Sequence, residues 1–128
     1  MRARDDTHAL LWFLSDDRAR SPTAREVMCS SDSELLFSIA SCWEMAIKHA
    51  IGKLTLGRPF QEFLWPQLRH NRIEILPIHE AHLNRVAELA QHHRDPFDRL
   101  LAAQAATEGI AIISGDSALD VYGVSRVW

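Results

Sequence analysis

The sequence predicts an α/β fold around a largely parallel sheet, on three observations. Short apolar runs of strand character alternate along the chain with stretches of helical periodicity, and strands separated by helices run parallel in one sheet. Helix punctuation stands between them, with proline inside a helix start and glycine after a helix end. No repeat, low-complexity tract or linker-like segment interrupts the alternation, which makes residues 1–128 a single domain.

Taken in order, Leu10 to Leu14 reads as the beginning of an apolar helical stretch, with a turn marked by Asp16-Asp17 and Ser21-Pro22. Pro22 followed by Thr23 to Met28 predicts a second helix with proline in its first turn. Glu34 to Ser38 is a short strand, and Ser41 to Ile51 a helix closed by Gly52. Phe60 to Leu68 is helical but carries Pro66, so a kink or break is expected there. Ile73 to Ile78 reads as a strand and Glu80 to Ala90 as a helix with Leu83, Val86, Leu89 and Ala90 on one face. A helix begun by Asp95-Pro96, a strand at Ile110 to Ile113 and a terminal strand near Val124 to Trp128 complete the chain. A central parallel strand should be almost wholly apolar, yet residues 1 to 6 read Met-Arg-Ala-Arg-Asp-Asp. Either the first strand is short and partly exposed, or the chain begins atypically.

Composition narrows the function classes. The chain is 47% hydrophobic and 24% charged, which is globular rather than disordered. A formal net charge of −3 argues against a protein that coats nucleic acid through its phosphates. A site that meets nucleic acid through bound cations escapes that objection. No apolar run approaches a membrane span, and the N-terminus has no signal-like apolar region. Cys29 and Cys42 form no framework, which points to reduced thiols in a cytoplasm.

Four acids stand out, and each has an ordinary explanation. Asp6 precedes Thr7-His8 and the first apolar stretch, where an aspartate caps a helix. Ser41-Cys42-Trp43-Glu44 matches a capping box. In Asp95-Pro96-Phe97-Asp98, Asp95 is a cap and Asp98 a first-turn acid. Asp116 follows the late strand and is again a cap. Against these stands position. Glu44 shares a helix face with Ala40, Ile47 and Ile51, and an acid on an apolar stripe needs a partner, for which Lys48 is one candidate. Asp6, Glu44 and Asp116 each follow an expected strand, at the edge where open α/β sheets place ligands. Two carboxylates ~4 Å apart repel by about 4 kcal/mol at an effective dielectric of about 20. A helix N-terminus offsets only ~0.3–1 kcal/mol. Convergence of the four therefore requires protonation or a cation, and all-oxygen donors suit Mg²⁺ or Mn²⁺.

Asp6-Thr7-His8-Ala9-Leu10-Leu11-Trp12, Ser38 to Lys48, His92 to Ala105 (HHRDPFDRLLAAQA) and Ile113-Ser114-Gly115-Asp116 together resemble the motif blocks of the PIN-domain family, and among them the VapC-type toxins of bacterial toxin–antitoxin pairs. The resemblance implies a three-layer sandwich with a central, mostly parallel sheet. It implies a Mg²⁺-dependent endoribonuclease, cytoplasmic and dimeric, that is neutralised by a cognate antitoxin. It implies a metal pocket of Asp6, Glu44, Asp98 and Asp116, with Asp95 supporting the loop and Thr7 and Ser114 orienting the carboxylates. The chain departs from the family in the polar residues Arg2, Arg4 and Asp5 of its first strand, and in Ser114-Gly115-Asp116, where a threonine is commoner.

The expected reaction is hydrolysis of an RNA phosphodiester by metal-activated water. Arg94 and Arg99 flank the acid pair and are candidates to grip phosphate oxygens, or equally to form surface ion pairs. No Ser–His–acid or Cys–His arrangement supports a covalent route. The rival reading is a catalytically weak module of the same fold that binds RNA or protein. A phosphatase or phospho-acceptor would want an Asp-x-Asp or a late lysine, and the chain has neither. His79 and His82 are too closely spaced for a metalloprotease helix and read as the exposed start of a helix. Trp12, Phe13 and Trp43 are candidates for an antitoxin groove, although aromatics at helical spacing more often lie in the core.

Overall fold

The computed structural model describes residues 8–12, 22–30, 33–89 and 95–128, the first of these segments through its backbone. Five strands form one sheet in the order β3-β2-β1-β4-β5, where β1 is His8–Trp12, β2 Ser33–Ser38, β3 Ile73–Leu76, β4 Ala111–Ile113 and β5 Arg126–Val127. Every neighbouring pair is parallel: Leu10 pairs with Leu35 on one side and Ala111 on the other, Ser38 with Leu76, and Ile113 with Val127. Parallel neighbours require crossovers, and helices supply most of them: α1 (Pro22–Cys29), α2 (Ile39–Ala50), α3 (Phe60–His70), α4 (Glu80–Glu88) and α5 (Pro96–Glu108), with a 3₁₀ helix (Ser117–Tyr122) between β4 and β5.

The core shows why three layers form. Leu35, Phe37, Ile73 and Ile113 pack with Ala24 of α1, Cys42 and Met45 of α2, and Leu64 and Leu68 of α3. Leu76 and Ile112 pack instead with Leu101 and Ala105 of α5 and with Leu119. Successive residues of a strand point to opposite faces, so adjacent Ile112 and Ile113 serve the two clusters. From β1 the chain first builds β2 and β3 to one side, then returns to place β4 and β5 on the other. This reversal makes the carboxyl ends of β1 and β4 a topological switch point, the place where such sheets bind ligands.

Several sequence expectations are corrected. His8–Trp12 is a strand, not the start of a helix, and it begins after Asp6 rather than ending before it. A short apolar run cannot be told from a helix segment by periodicity, and a strand paired on both sides needs just such a run. The expected strand at residues 1–6 and the turn at 16–17 and 21 lie outside the described residues. α3 runs through Pro66 to His70 without a break. Glu62, whose carbonyl loses its donor, and Pro66 are both exposed, so water can replace the missing bond. β3 stops before Pro77.

α4 is rotated from its expected face. His82 is fully buried while Leu83 is 54% exposed, so His82, Val86 and Leu89 form the inner stripe. The backbone N–H of His79 donates to His82 Nδ1 at 3.0 Å, which leaves Nε2 to carry the ring proton and donate to Glu108 Oε2 at 2.8 Å. A histidine with both nitrogens satisfied is a tolerable core residue, and it ties α4 to α5.

Candidate functional site

Ser38 ends β2 and caps α2, its Oγ accepting the Ala40 N–H at 3.0 Å. Ser41, the expected cap, lies inside the helix, and its buried Oγ has no hydrogen-bond partner among the described residues. The Ser41–Glu44 capping box is therefore not formed, and Glu44 is free of that role. Its expected apolar stripe also turns: Ala40, Cys42 and Met45 are buried, whereas Ile47 and Ile51 are exposed. Glu44 sits at the boundary between these faces, 15% exposed in its side chain, with Lys48 Nζ 3.7 Å from its Oε2.

α5 brings the second acid. Asp95 caps this helix, its Oδ1 accepting the Phe97 N–H at 2.9 Å, and Pro96 occupies the first turn. Asp98 follows on a helix whose next residues Leu101 to Ala105 are all buried, and is itself only 4% exposed. A carboxylate held in such surroundings at a helix N-terminus is favoured by the dipole but penalised by desolvation. The rings of Trp43 and Phe97 meet edge to face with centroids 5.3 Å apart, joining the second turn of α2 to the start of α5. Arg99 Nη2 donates to the Val86 and Leu89 carbonyls at 3.2 and 3.4 Å. That guanidinium binds the C-terminal end of α4, a favourable place for a cation; Arg94 lies outside the described residues.

The third acid follows β4. Ser114 is fully buried, and its Oγ accepts the Asp116 N–H at 3.0 Å. Asp116 Oδ1 accepts the Ala118 N–H at 3.0 Å, so it caps the 3₁₀ helix. Arg126 braces this turn. It donates to the Ser114 carbonyl at 3.1 Å and grips Asp120 through Nε and Nη2 at 2.8 and 3.1 Å. Those bonds hold the Asp120 carboxyl below its usual range, and the Asp120 and Asp116 charges reinforce the charge on Arg126. A Cβ on Gly115 would stand 2.8 Å from Trp128 Cε2, so this turn leaves no room for a side chain.

Glu44 and Asp116 thus follow the carboxyl ends of β2 and β4, the neighbours of β1, and Asp98 stands in the first turn of α5. Among the described residues no three Asp, Glu, His or Cys side chains lie close enough to hold a metal ion. The remaining acid, Asp6, and Thr7 lie outside the described residues. A cavity of about 350 Å³ opens elsewhere, lined by residues such as Met28, Phe37, Met45, Phe63 and Leu68, and by none of these acids.

A family model described as the PIN domain matches residues 6–124. The chain belongs to the PIN-domain family. PIN domains are generally nucleases that use divalent metals. Among solved structures, the chain is similar to VapBC-1 from nontypeable Haemophilus influenzae, with a TM-score of 0.63 at 13% identity over 92% of this chain and 96% of that one. That likeness shows a shared fold. Among curated proteins, none matches the chain. No helix of the described residues is long and apolar enough to cross a membrane. Glu44, Asp98 and Asp116 offer oxygen donors alone, a donor chemistry that suits a hard divalent cation.

Sequence reasoning missed two polar residues of this region. Ser38 and Gln104 are fully buried and bonded to each other, Oγ to Oε1 at 2.6 Å. Ser38 stands three residues, about one helical turn, ahead of the expected capping serine Ser41, so two serines compete for one cap. Gln104, a polar residue in the apolar run Leu100 to Ala106, was the stronger clue.

Proposed function

We propose that this PIN domain is a Mg²⁺-dependent endoribonuclease, Mn²⁺ serving in its place, and a VapC-type toxin held inactive by a cognate antitoxin. The observation that carries the reading is Asp98: a carboxyl 4% exposed at a helix start, beside the switch point, in a chain of a nuclease family. Glu44, Asp98 and Asp116 would hold the ion, which when bound lowers the pKa of a water and offsets charge developing on the phosphate; Asp6 precedes β1 rather than following it and is left out of this ligand set. Ser114 fixes the turn that carries Asp116. Asp95 sets the start of α5 and hence the direction of Asp98. Arg94 is the candidate to meet phosphate oxygens; the Arg99 guanidinium holds α4.

The likeness to VapBC-1 supports an antitoxin partner. A cytoplasmic homodimer with an RNA substrate completes the proposal. The exposed Trp43 is the aromatic best placed to meet an antitoxin segment. Purified protein should cut a structured RNA with Mg²⁺, stop with EDTA, and lose cutting on Asp98→Asn. Retained cutting in that variant removes the metal assignment.

One observation favours a second reading, a PIN-like module that binds RNA or protein with little catalysis. Glu44 is paired with Lys48, and the described acids do not form a three-ligand group. Calorimetry separates the two: a nuclease binds Mn²⁺ through its acids, and the binding module does not.

A further inference from the structure

The acids of the proposed site stand on helices that must be held in one mutual position, and a buried polar chain is built where α2, α5 and the sheet meet. Ser38 lies at the last position of β2, paired in register with Leu76 at the end of β3. Its Oγ accepts the Ala40 N–H at 3.0 Å and donates to Gln104 Oε1 at 2.6 Å. The same amide donates from Nε2 to the Pro77 carbonyl at 3.2 Å. This arrangement fixes the amide's orientation, since a flipped group would turn Oε1 toward the Pro77 oxygen. Ser38 and Gln104 are both fully buried. The two bonds of the Ser38 hydroxyl are therefore made away from water, where an unmatched polar atom is costly, while the Gln104–Pro77 bond is part-buried. Two short side chains thus join the carboxyl ends of two strands to the middle of α5 and the start of α2.

We infer that Ser38 and Gln104 are positioning residues for the metal site, setting the register of Glu44 on α2 against Asp98 on α5. The placement is symmetrical: Glu44 follows Ser38 by six positions, and Asp98 precedes Gln104 by six. Neither residue is offered as touching the ion or the RNA. Hydrophobic packing could hold α5 on the sheet with less precision, because Leu101, Ala102 and Ala105 tolerate sliding that a hydrogen-bonded amide does not. The inference rests on the nuclease reading, and its test separates the two.

The test uses the full chain with Mn²⁺ as the probe. Three things are measured: Mn²⁺ affinity by calorimetry without RNA, kcat and KM on a structured RNA, and thermal stability. Gln104→Met keeps the volume and removes both bonds; Ser38→Ala removes the donor and cap, and Ser38→Thr restores a hydroxyl. Leu68→Ala, in the core of the opposite face, serves as a variant destabilised elsewhere. Gln104→Met and Ser38→Ala are expected to weaken Mn²⁺ binding and lower kcat by about 10–100-fold, with KM for RNA within about twofold of the parent. Ser38→Thr should recover most of both. Leu68→Ala should lose stability while keeping Mn²⁺ affinity. Wild-type affinity and kcat in Gln104→Met, or losses no greater than those of Leu68→Ala at equal stability, overturn the positioning role alone. Absence of Mn²⁺ binding by the parent protein overturns the nuclease reading and this inference with it.

Discussion

The rings of Trp43 and Phe97 meet edge to face at an interplanar angle of 69°. The next residues along the chain are Glu44 and Asp98. One aromatic contact therefore clamps together the two helices that carry two of the acids. Below it, the Ser38–Gln104 bond ties the same two helices at the sheet edge. The relative position of α2 and α5 is thus fixed at two levels, one apolar and one polar.

The aromatic clamp is measurable by itself. Edge-to-face pairs contribute about 0.5–1.5 kcal/mol beyond the area they bury. Urea unfolding of Trp43→Ala, Phe97→Ala and the double variant should give a coupling energy within that range. Trp43 is 61% exposed, so its single substitution should cost less than that of a core aromatic. Strictly additive effects would remove the pair as a structural element.

Metal linkage gives the second prediction. A ligand that binds only the folded state stabilises it by about 2.7 kcal/mol at one hundred times its dissociation constant. The parent protein should therefore melt higher in Mn²⁺. Asp98→Asn removes the carboxylate proposed as a ligand, so it should gain little in melting temperature on adding Mn²⁺. An equal Mn²⁺-induced rise in both proteins would place the ion away from Asp98.

Much of this region was legible in the residues, for definite reasons. Asp95-Pro96 marked the start of α5, because proline suits the first turn and aspartate the cap, and Gly109 with φ +68° closes the same helix. The alternation of strand and helix gave the parallel sheet. What failed was decided by tertiary context. His8–Trp12 is equally apolar as helix or strand, and only pairing on both sides makes it a strand. Ser38 and Ser41 both suit a cap, and the choice fell to the one at the strand end. His82 looked polar and exposed until Glu108, distant in sequence, supplied its partner. No local pattern could foresee that pairing.

Arg99 should behave as a structural cation. Hydrogen bonds from a charged group contribute about 1.5–3 kcal/mol, and Arg99 makes two to the carbonyls at the end of α4. Arg99→Met should lower stability by an amount of that order and speed amide exchange in α4, while leaving KM for RNA unchanged. A raised KM with unchanged stability would return Arg99 to the phosphate-binding role.

The two cysteines should differ in reactivity. Cys42 is buried and desolvation pushes its thiol up from 9.0 to about 11, against a smaller opposing effect of its own backbone; Cys29 is exposed. At pH 8 a maleimide should label Cys29 promptly and Cys42 only as the protein opens. The thiol also sets an alkaline limit. Its folded pKa lies above the unfolded value, so its contribution is complete below pH 9 and is lost as pH rises from 9 to about 11. Cys42→Ala should flatten that decline, and an unchanged slope would show that some other group causes it.

Gly115 is required by volume rather than by backbone conformation. A methyl group there would press on the Trp128 indole at 2.8 Å, closer than packed carbon atoms approach. Overpacking of this kind costs about 1–3 kcal/mol. Because Gly115 stands between Ser114 and Asp116, either the indole gives way or the turn that presents Asp116 does. The two outcomes can be separated. If the indole yields, Gly115→Ala loses stability but keeps Mn²⁺ affinity, and Trp128→Phe in the same chain restores part of the loss. If the turn yields, the Ser114 Oγ bond to the Asp116 N–H is strained, Mn²⁺ affinity falls, and the smaller ring restores affinity and stability together. The second outcome is expected, since Trp128 also packs against the core that includes Ile113, whereas the turn is held by single hydrogen bonds. A fully neutral Gly115→Ala would contradict the contact itself.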